Sequence, residues 1–406
     1  MTDRADPRPA GPQLTTLILL SALAIVPVNI FLPSLTNMAA AFEVEYSVVS
    51  LSLAAYAAVS AVLQIVLGPL SDRYGRRPVI LLGVAIFVVA SVGCIVARDI
   101  ETFLAWRMVQ AVIAPTYAVA LAAIRDTTAP REAASRIGYL ATAWALAPML
   151  GPSFGGLLDE AFGWQASFWF LSLFGAVVLV LCWFDFAETN RNRSKSVVEQ
   201  FRSYPIVLKS KRFWAYSLCM AFSLGTFFAF LAGAPLAAVA VFDLSPAMLG
   251  VGIGSITAGF MFGSFLSGRY AGRLAPMTMI LTGRVLACAG LLAGLGLYIA
   301  GVDHVLALFG PCMLVGVSNG LTLPSANVGA ISVRPQLTGS AAGLAGAISI
   351  AGGALMSWIA GISLTAENAH YGLLLVMLGA AAAALSAALV ARYLERAVEV
   401  RGNGDG

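Results

Sequence analysis

Few residues in this chain could do chemistry, and most of them are polar groups in places that polar groups avoid. Arg107 and Gln110 stand inside an apolar run of about residues 101–124. At 1.5 Å per residue, Arg107 lies roughly 10 Å in from the end of a helix built on that run. A guanidinium at that depth is costly in lipid and normally faces a cavity or a partner, unless it snorkels to the headgroups. Ala111 and Ala114 share its helical face and leave room beside it. Asn29, in the first apolar run, can hydrogen-bond but cannot titrate. It could line a cavity or make a helix–helix hydrogen bond. Phe222, Phe227 and Phe228 cluster in a later run, and Asn319, Thr322 and Asn327 in another. Aromatic rings with a few uncharged polar groups suit an apolar ligand, although the phenylalanines would also serve as packed or lipid-facing bulk. Arg284 falls near the end of its run and is expected to meet headgroups. His304 and His370, also near run ends, are expected to be solvated.

The same inspection excludes other chemistry. There is no metal-ligand cluster, no phosphate-binding loop beside a strand and no nucleophile elbow, so an enzyme, a cofactor and a metal are not expected. The five cysteines fall inside apolar runs without CxxC spacing and read as small core residues. With no recognisable soluble catalytic domain or nucleotide-binding loop in the sequence, a sensor is not expected, nor is an ATP-driven machine unless a partner supplies the nucleotide domain. The net charge of +4 sits in short loops and gives no reason to expect nucleic acid.

The elements that hold these residues follow from composition. The 406 residues are 59% hydrophobic and 11% charged, against about 25% charged in a soluble domain. Such a chain cannot cover itself with polar surface, so its solvent must be lipid. Spanning segments in lipid are helices or closed barrels, because every backbone N–H and C=O must be paired internally. The apolar runs are continuous and about 20 residues long, which is helix rather than barrel-strand length. Twelve such runs are expected, at about 14–36, 46–70, 78–97, 101–124, 136–158, 164–186, 213–235, 246–267, 276–300, 304–329, 338–362 and 371–393. The fold class is therefore an all-α membrane protein with two pseudo-symmetric six-helix bundles, 14–186 and 213–393. A polar linker, 187–212, joins them, and short tails lie at 1–13 and 394–406. The even-numbered connections and both tails carry nearly all the Arg and Lys, while the opposite connections carry one basic residue, Arg98, and many acids. By the positive-inside rule both termini are cytoplasmic.

Four local patterns stand at defined places in this frame. Between spans 2 and 3 the chain reads Gly68-Pro69-Leu70-Ser71-Asp72-Arg73-Tyr74-Gly75-Arg76-Arg77-Pro78. This is a tight turn in which Gly75 permits positive φ, with an Arg cluster at the headgroups and Asp72 at a helix end where it can pair with an Arg. A degenerate copy, Leu266-Ser267-Gly268-Arg269-Tyr270-Ala271-Gly272-Arg273, follows span 8, six spans later. Span 5 contains Pro148, Gly151, Pro152, Gly155 and Gly156: two prolines that bend a helix and glycines that let a neighbour approach closely. Span 4 contains Arg107-Met108-Val109-Gln110-Ala111 and ends on Ala123-Ile124-Arg125-Asp126. Span 1 contains Phe31-Leu32-Pro33-Ser34-Leu35.

These patterns closely resemble signatures of the major facilitator superfamily. The resemblance implies that Gly68, Asp72, Arg73, Gly75, Arg76 and Arg77 form a cytoplasmic gate or latch. It implies that Pro148, Gly151, Pro152, Gly155 and Gly156 form the hinge motif of antiporters. It links Arg107 and Gln110 to proton coupling, with Ala111 replacing the family's usual Gly, and makes Arg125 and Asp126 further coupling candidates. The span 1 and span 4 runs resemble the Bcr/CflA drug-efflux branch. The likeness covers most of the N-terminal half and rests on spacing in the other. One departure stands out: the branch usually carries an Asp where this chain has Asn29, and no Asp or Glu lies near the middle of any span. The expectation is a monomeric secondary transporter of the bacterial inner membrane that exports amphiphilic drug-like small molecules, with the proton as coupling ion and no cofactor. An exporter of a native metabolite, such as a sugar or amino-acid derivative and not necessarily proton-coupled, is the competing reading, since one fold serves both. Asn29, Phe31, Phe222, Phe227, Phe228, Asn319, Thr322 and Asn327 are the expected cavity residues.

Overall fold

The computed structural model describes residues 11–128, 130–190, 204–270, 273–302, 304–334 and 337–402. The two ends of the chain and most of the linker, 191–203, lie outside them. The principal elements are helices: α1 Leu14–Asn29, α2 Leu35–Ala41, α3 Tyr46–Tyr74, α4 Arg76–Val96, α5 Ile100–Gln110, α6 Thr116–Thr127, α7 Pro130–Phe162 and α8 Gln165–Asp185. The second half follows with α9 Lys211–Phe242, α10 Pro246–Tyr270, α11 Pro276–Ile299, α12 Val305–Ile331, α13 Thr338–Ser363 and α14 Ala369–Gly402. Among the described residues, eleven helical segments are long and apolar enough to cross a membrane. Helix α7 stands between the fourth and fifth of these, in the place expected of span 5.

Two expected spans are broken, and proline accounts for both breaks. Pro33 has no N–H, so the carbonyl of Asn29 loses its helical donor. Helix α1 stops at Asn29, and after a short 3₁₀ turn at Leu32–Ser34 the chain resumes as α2. Pro115 does the same to the carbonyl of Ala111, giving a 3₁₀ turn at Ala111–Ile113 between α5 and α6. Both breaks fall beside the polar residues singled out above. The lipid-facing side is equally legible. Leu82, Val89 and Val96, seven apart on α4, are 63%, 60% and 65% exposed. This stripe of large apolar side chains needs a hydrocarbon neighbour.

The two halves meet along α7 with α10 and along α3 with α13. Side chains are cut back at these seams. A Cβ on Gly155 would overlap the carbonyl of Ile30, at the break after α1, and a Cβ on Gly156 would overlap the carbonyl of Pro246, at the start of α10. Neighbouring glycines thus face opposite halves. From the other side, Gly250 rests on Pro152 and Gly254 on the Met149 carbonyl. Pro152 cannot donate to the carbonyl of Pro148 four residues back, and Thr257 Oγ1 of α10 donates to that oxygen instead, at 3.4 Å.

We call the end of the bundle bearing the Arg-rich connections the basic end and the opposite one the acidic end. At the acidic end the halves touch: Tyr46 donates its hydroxyl to the Ala232 carbonyl, Ala247 N–H donates to Glu160 Oε1 at 3.0 Å, and Gly361 lies on Ser50. These hydrogen bonds between the halves, with that of Thr257 to Pro148, lie at mid-depth or toward that end. The halves part toward the basic end, where Gly68, Gly268 and Gly343 have open space around them.

The glycine contacts give a direct test. Gly155→Ala should destabilise the purified protein by at least the ~1–3 kcal/mol typical of overpacking. Gly296→Ala, on α11 with nothing near its would-be Cβ, should leave the thermal midpoint in place. Equal midpoints for the two variants in a thermal unfolding scan would refute this account of the seam.

Candidate functional site

Between the halves at mid-depth lies a cavity of about 300 Å³. Its wall is mostly apolar, with Ile25, Val28, Leu224, Phe227, Phe228 and Phe260 prominent. Into it the chain sets a small number of polar groups: Asn29, Tyr56, Ser60, Gln64, Thr257, Asn319 and Ser349. Several of these hold back hydrogen-bonding capacity. Asn29 Nδ2 donates to the Ile25 carbonyl at 3.0 Å, but its Oδ1 has no protein partner. The Tyr56 hydroxyl, Ser60 Oγ and Gln64 Oε1 are likewise buried and unpaired within the protein. Buried polar atoms are normally bonded, so unpaired ones converging on a single void mark a place for a ligand. No lining residue is acidic or basic.

The expected cavity residues separate. Asn29, Phe227, Phe228 and Asn319 are on the wall. Phe31 is fully buried behind it, against Arg107, and Thr322 lies behind it against Arg284. Phe222 packs at the edge of the hydrophobic core. Asn327 departs from the expectation. It is exposed, about 12 Å further along α12 than Asn319 toward the basic end and turned roughly 80° around the helix. Tyr56, Ser60 and Gln64 escaped sequence reading, because in a helix of Ala, Ser and Leu nothing in their type marks which face meets the void.

Arg107 is wholly buried and does not reach the headgroups. Its Nη2 donates to the Pro27 carbonyl at 3.2 Å, which lies next to the break in α1, and its Nη1 to Gln110 Oε1. Gln110 in turn donates to Ser91 Oγ at 2.7 Å. The guanidinium carbon sits 4.3 Å from the Phe31 ring centroid, 4.6 Å from that of Tyr56 and 5.8 Å from that of Phe168. Three ring faces thus receive a cation that no carboxylate neutralises. Since Tyr56 also lines the cavity, the charge is one ring away from it.

Arg284 corrects the expectation of a headgroup residue. It is fully buried in the C-terminal half, bonded to Thr322, Ser318 and Asn319 of α12. His370 corrects the expectation of solvation: it is buried, its ring against Phe242 and Tyr298. His304 is exposed at the start of α12, its Nδ1 accepting from Leu306 N–H at 3.1 Å.

The glycine-arginine turn forms a separate cluster at the basic end. Gly75 has φ +108°, and a Cβ there would strike the carboxylate of Glu188, which takes a hydrogen bond from Arg76 N–H at 2.9 Å. Arg76 pairs with Asp72 at 2.6 Å and with Asp126 at 3.3 Å, and also donates to Ser71 Oγ at 2.6 Å. Arg77 donates to the Trp183 carbonyl at 2.9 Å, whereas Arg73 and Arg125 are exposed. Asn190 Nδ2 bonds the Asp72 carbonyl at 2.9 Å. Asp126 therefore belongs to this cluster rather than with Arg107 and Gln110, which lie far up the helix. Glu188 was invisible in the sequence, where it reads as one more charge in a polar linker.

A family model described as Major Facilitator Superfamily matches residues 17–357. The chain belongs to the major facilitator superfamily. Within it, a chloramphenicol resistance protein of Pseudomonas aeruginosa is 30% identical over 330 residues, covering 80% of this chain and 78% of that one. A bicyclomycin resistance protein homolog of Haemophilus influenzae is 27% identical over 352 residues, 84% of this chain and 87% of the other. A multidrug resistance protein, MdtL, of Escherichia coli is 29% identical over 340 residues, 82% of this chain and 84% of the other. These relatives are consistent with the Bcr/CflA-type branch read from the span 1 and span 4 runs. Among solved structures, a bacterial homologue of the lysosomal transporter Spinster matches with a TM-score of 0.74 at 16% identity, covering 94% of this chain and 96% of the other. A D-xylose–proton symporter matches at 0.73 and 12% identity, covering 93% of this chain and 96% of the other. Both likenesses establish the facilitator fold.

Two arginines of the basic end, one in the ion-pair network and one exposed, separate position from charge. Arg76→Gln should lower the thermal midpoint of the purified transporter measurably, because it breaks two ion pairs and leaves Asp72 and Asp126 facing each other. Arg125→Gln, an equally conservative loss of charge at an exposed site, should shift it little. Indistinguishable shifts would show that the Arg76 network adds no stability.

Proposed function

We propose that this protein exports amphiphilic, drug-like small molecules across the bacterial inner membrane by alternating access, in exchange for protons. The observation that carries the reading is the mid-depth cavity between the halves. Its wall is apolar and aromatic, with unpaired polar atoms from Asn29, Tyr56, Ser60 and Gln64, which suits a compound with a large apolar body and a few hydrogen-bonding groups. The drug-resistance names of the relatives support the same class of cargo.

In this reading both termini are cytoplasmic and the basic end faces the cytoplasm. Substrate enters where the halves part. The hinge residues Pro148, Gly151, Pro152, Gly155 and Gly156 let α7 roll on α1 and α10, and the Asp72–Arg76 cluster closes the cytoplasmic side once the acidic end opens. Arg107 and Gln110 hold the broken α1 in place beside the cavity. The proton is assigned to Asp159, the buried carboxylate at the acidic end of α7, which takes a hydrogen bond from Asn37 of α2 at 2.7 Å. The transporter acts as a monomer.

The reading is tested in a strain lacking its own pumps. Expression should raise resistance to chloramphenicol or another amphiphilic antibiotic at least fourfold. No change across a broad panel, with no dye extrusion, would overturn it. In reconstituted vesicles, substrate-driven proton flux should be lost in Asp159→Asn while substrate binding persists. Flux that survives this substitution would remove Asp159 from the coupling, and transport with no flux in the wild type would remove the proton.

A further inference from the structure

Arg284 is a fully buried cation with no ion pair among the described residues. It lies about 12 Å into α11 from the basic end. Between Lys211 and Glu395 the acids of the sequence are Asp243, Asp303 and Glu367; of these, the described Asp243 and Glu367 lie beyond helix ends at the opposite side. The guanidinium is held by uncharged groups alone. Nε donates to Thr322 Oγ1 at 3.0 Å, and Nη2 to Ser318 Oγ at 2.7 Å and Asn319 Oδ1 at 2.8 Å. Nη1 has no protein partner. A buried charge is expensive unless it is paired, and here three neutral side chains fix the guanidinium without neutralising it.

Asn319 links this charge to the cavity. Its carbonyl oxygen is taken by Arg284, so its amide N–H₂ points the other way. There it meets only Thr226 Oγ1, at 3.4 Å, the far edge of hydrogen-bond range. Asn319 lines the cavity, and the guanidinium behind it polarises the amide and strengthens it as a donor. The opposite wall has the same sign of field, since Arg107 stands behind the Tyr56 ring. No acidic side chain lines the void, and Asn29 is neutral. Two buried positive charges with no compensating negative one, in a medium of low dielectric, raise the potential throughout the cavity.

We propose that the cavity selects substrates bearing an anionic acceptor, such as a carboxylate or phenolate, on an apolar body, and disfavours cations. The acceptor binds the Asn319 amide, with Arg284 acting through it as a positioning and polarising residue. This rests on the exporter reading for its biological setting, but the selectivity is a property of the cavity itself.

The test uses the full chain in lipid nanodiscs at pH 7 and three probes of matched shape: 2-naphthylacetate, 2-naphthylacetamide and 2-(2-naphthyl)ethylammonium. Calorimetric Kd values should rank carboxylate, then carboxamide, then ammonium, with at least tenfold between the first and last. Arg284→Gln should shrink that ratio below threefold, and Arg284→Lys should keep most of it, which a purely structural role would not predict. Asn319→Leu should erase the preference of carboxylate over carboxamide, and it decides the matter if the Arg284 variants do not fold. Ammonium bound as tightly as carboxylate by the wild type, a carboxylate-to-ammonium ratio unmoved in Arg284→Gln, or a carboxylate-over-carboxamide preference unmoved in Asn319→Leu, overturns the proposal. The outcome is separate from that of the export assay. A protein that confers no resistance but ranks the probes in this order loses only the exporter reading, and one that exports drugs while preferring the ammonium loses only this inference.

Discussion

The hydrogen bond from Thr257 to the Pro148 carbonyl expresses the constraint under which the whole chain is built. In lipid a backbone acceptor without a donor has no water to turn to. Each proline within a span therefore creates a debt that some neighbour must meet. At Pro152 the donor comes from the other half of the molecule. At Pro33 and Pro115 no helix-interior donor substitutes, and the helix changes to a 3₁₀ turn. The breaks in turn expose backbone carbonyls beside the cavity, and the Pro27 carbonyl near one of them becomes a ligand for Arg107. Proline placement, helix breaks, the inter-half seam and the seat of the buried arginine are consequences of one rule.

Charge follows a second rule. Charged groups at the basic end are either exposed, as Arg73 and Arg125 are, or paired, as in Asp72–Arg76–Asp126. The two buried deep in the spans are not paired with opposite charge. Arg107 is enclosed by ring faces and Arg284 by hydroxyls and an amide. Aromatic quadrupoles and aligned dipoles soften the cost of a buried cation without cancelling its field. The cavity lies between the two and feels both.

The fold was legible because the signal is one-dimensional. Run length and charge asymmetry needed no knowledge of packing, and the motifs at Gly68–Pro78 and Ala147–Gly156 combine residue types that helix formation alone does not call for. The places where sequence reading fell short all depend on rotation about a helix axis. Arg284 was assigned to headgroups from its distance along the span, but depth along the axis does not say whether a residue faces lipid or protein. His370 failed for the same reason. Asn327 has the right residue type and the right span, yet sits on the wrong face and too near one end. Conversely Tyr56, Ser60 and Gln64 look like filler until α3 is set against α13. The glycines of span 5 stood out by pattern, but their division of contacts, Gly155 toward α1 and Gly156 toward α10, is purely three-dimensional.

That division sets where the chain is free to vary. A helix that bears on a partner along two adjacent faces must stay bare on both, so α7 has no room to acquire side chains there without jamming one surface or the other. Much of the cavity wall is under no such restriction, Pro148, Thr257 and Gly316 excepted. Its polar handles come from α1, α3, α10, α12 and α13, and the three from α3, Tyr56, Ser60 and Gln64, leave oxygens without a protein partner, so they could be exchanged without removing a hydrogen bond that those atoms make. The seam and the cavity wall share Pro148 and Thr257, but the α3 handles lie apart from the bare faces of α7, so a lineage can vary those handles while the glycine contacts stay unchanged.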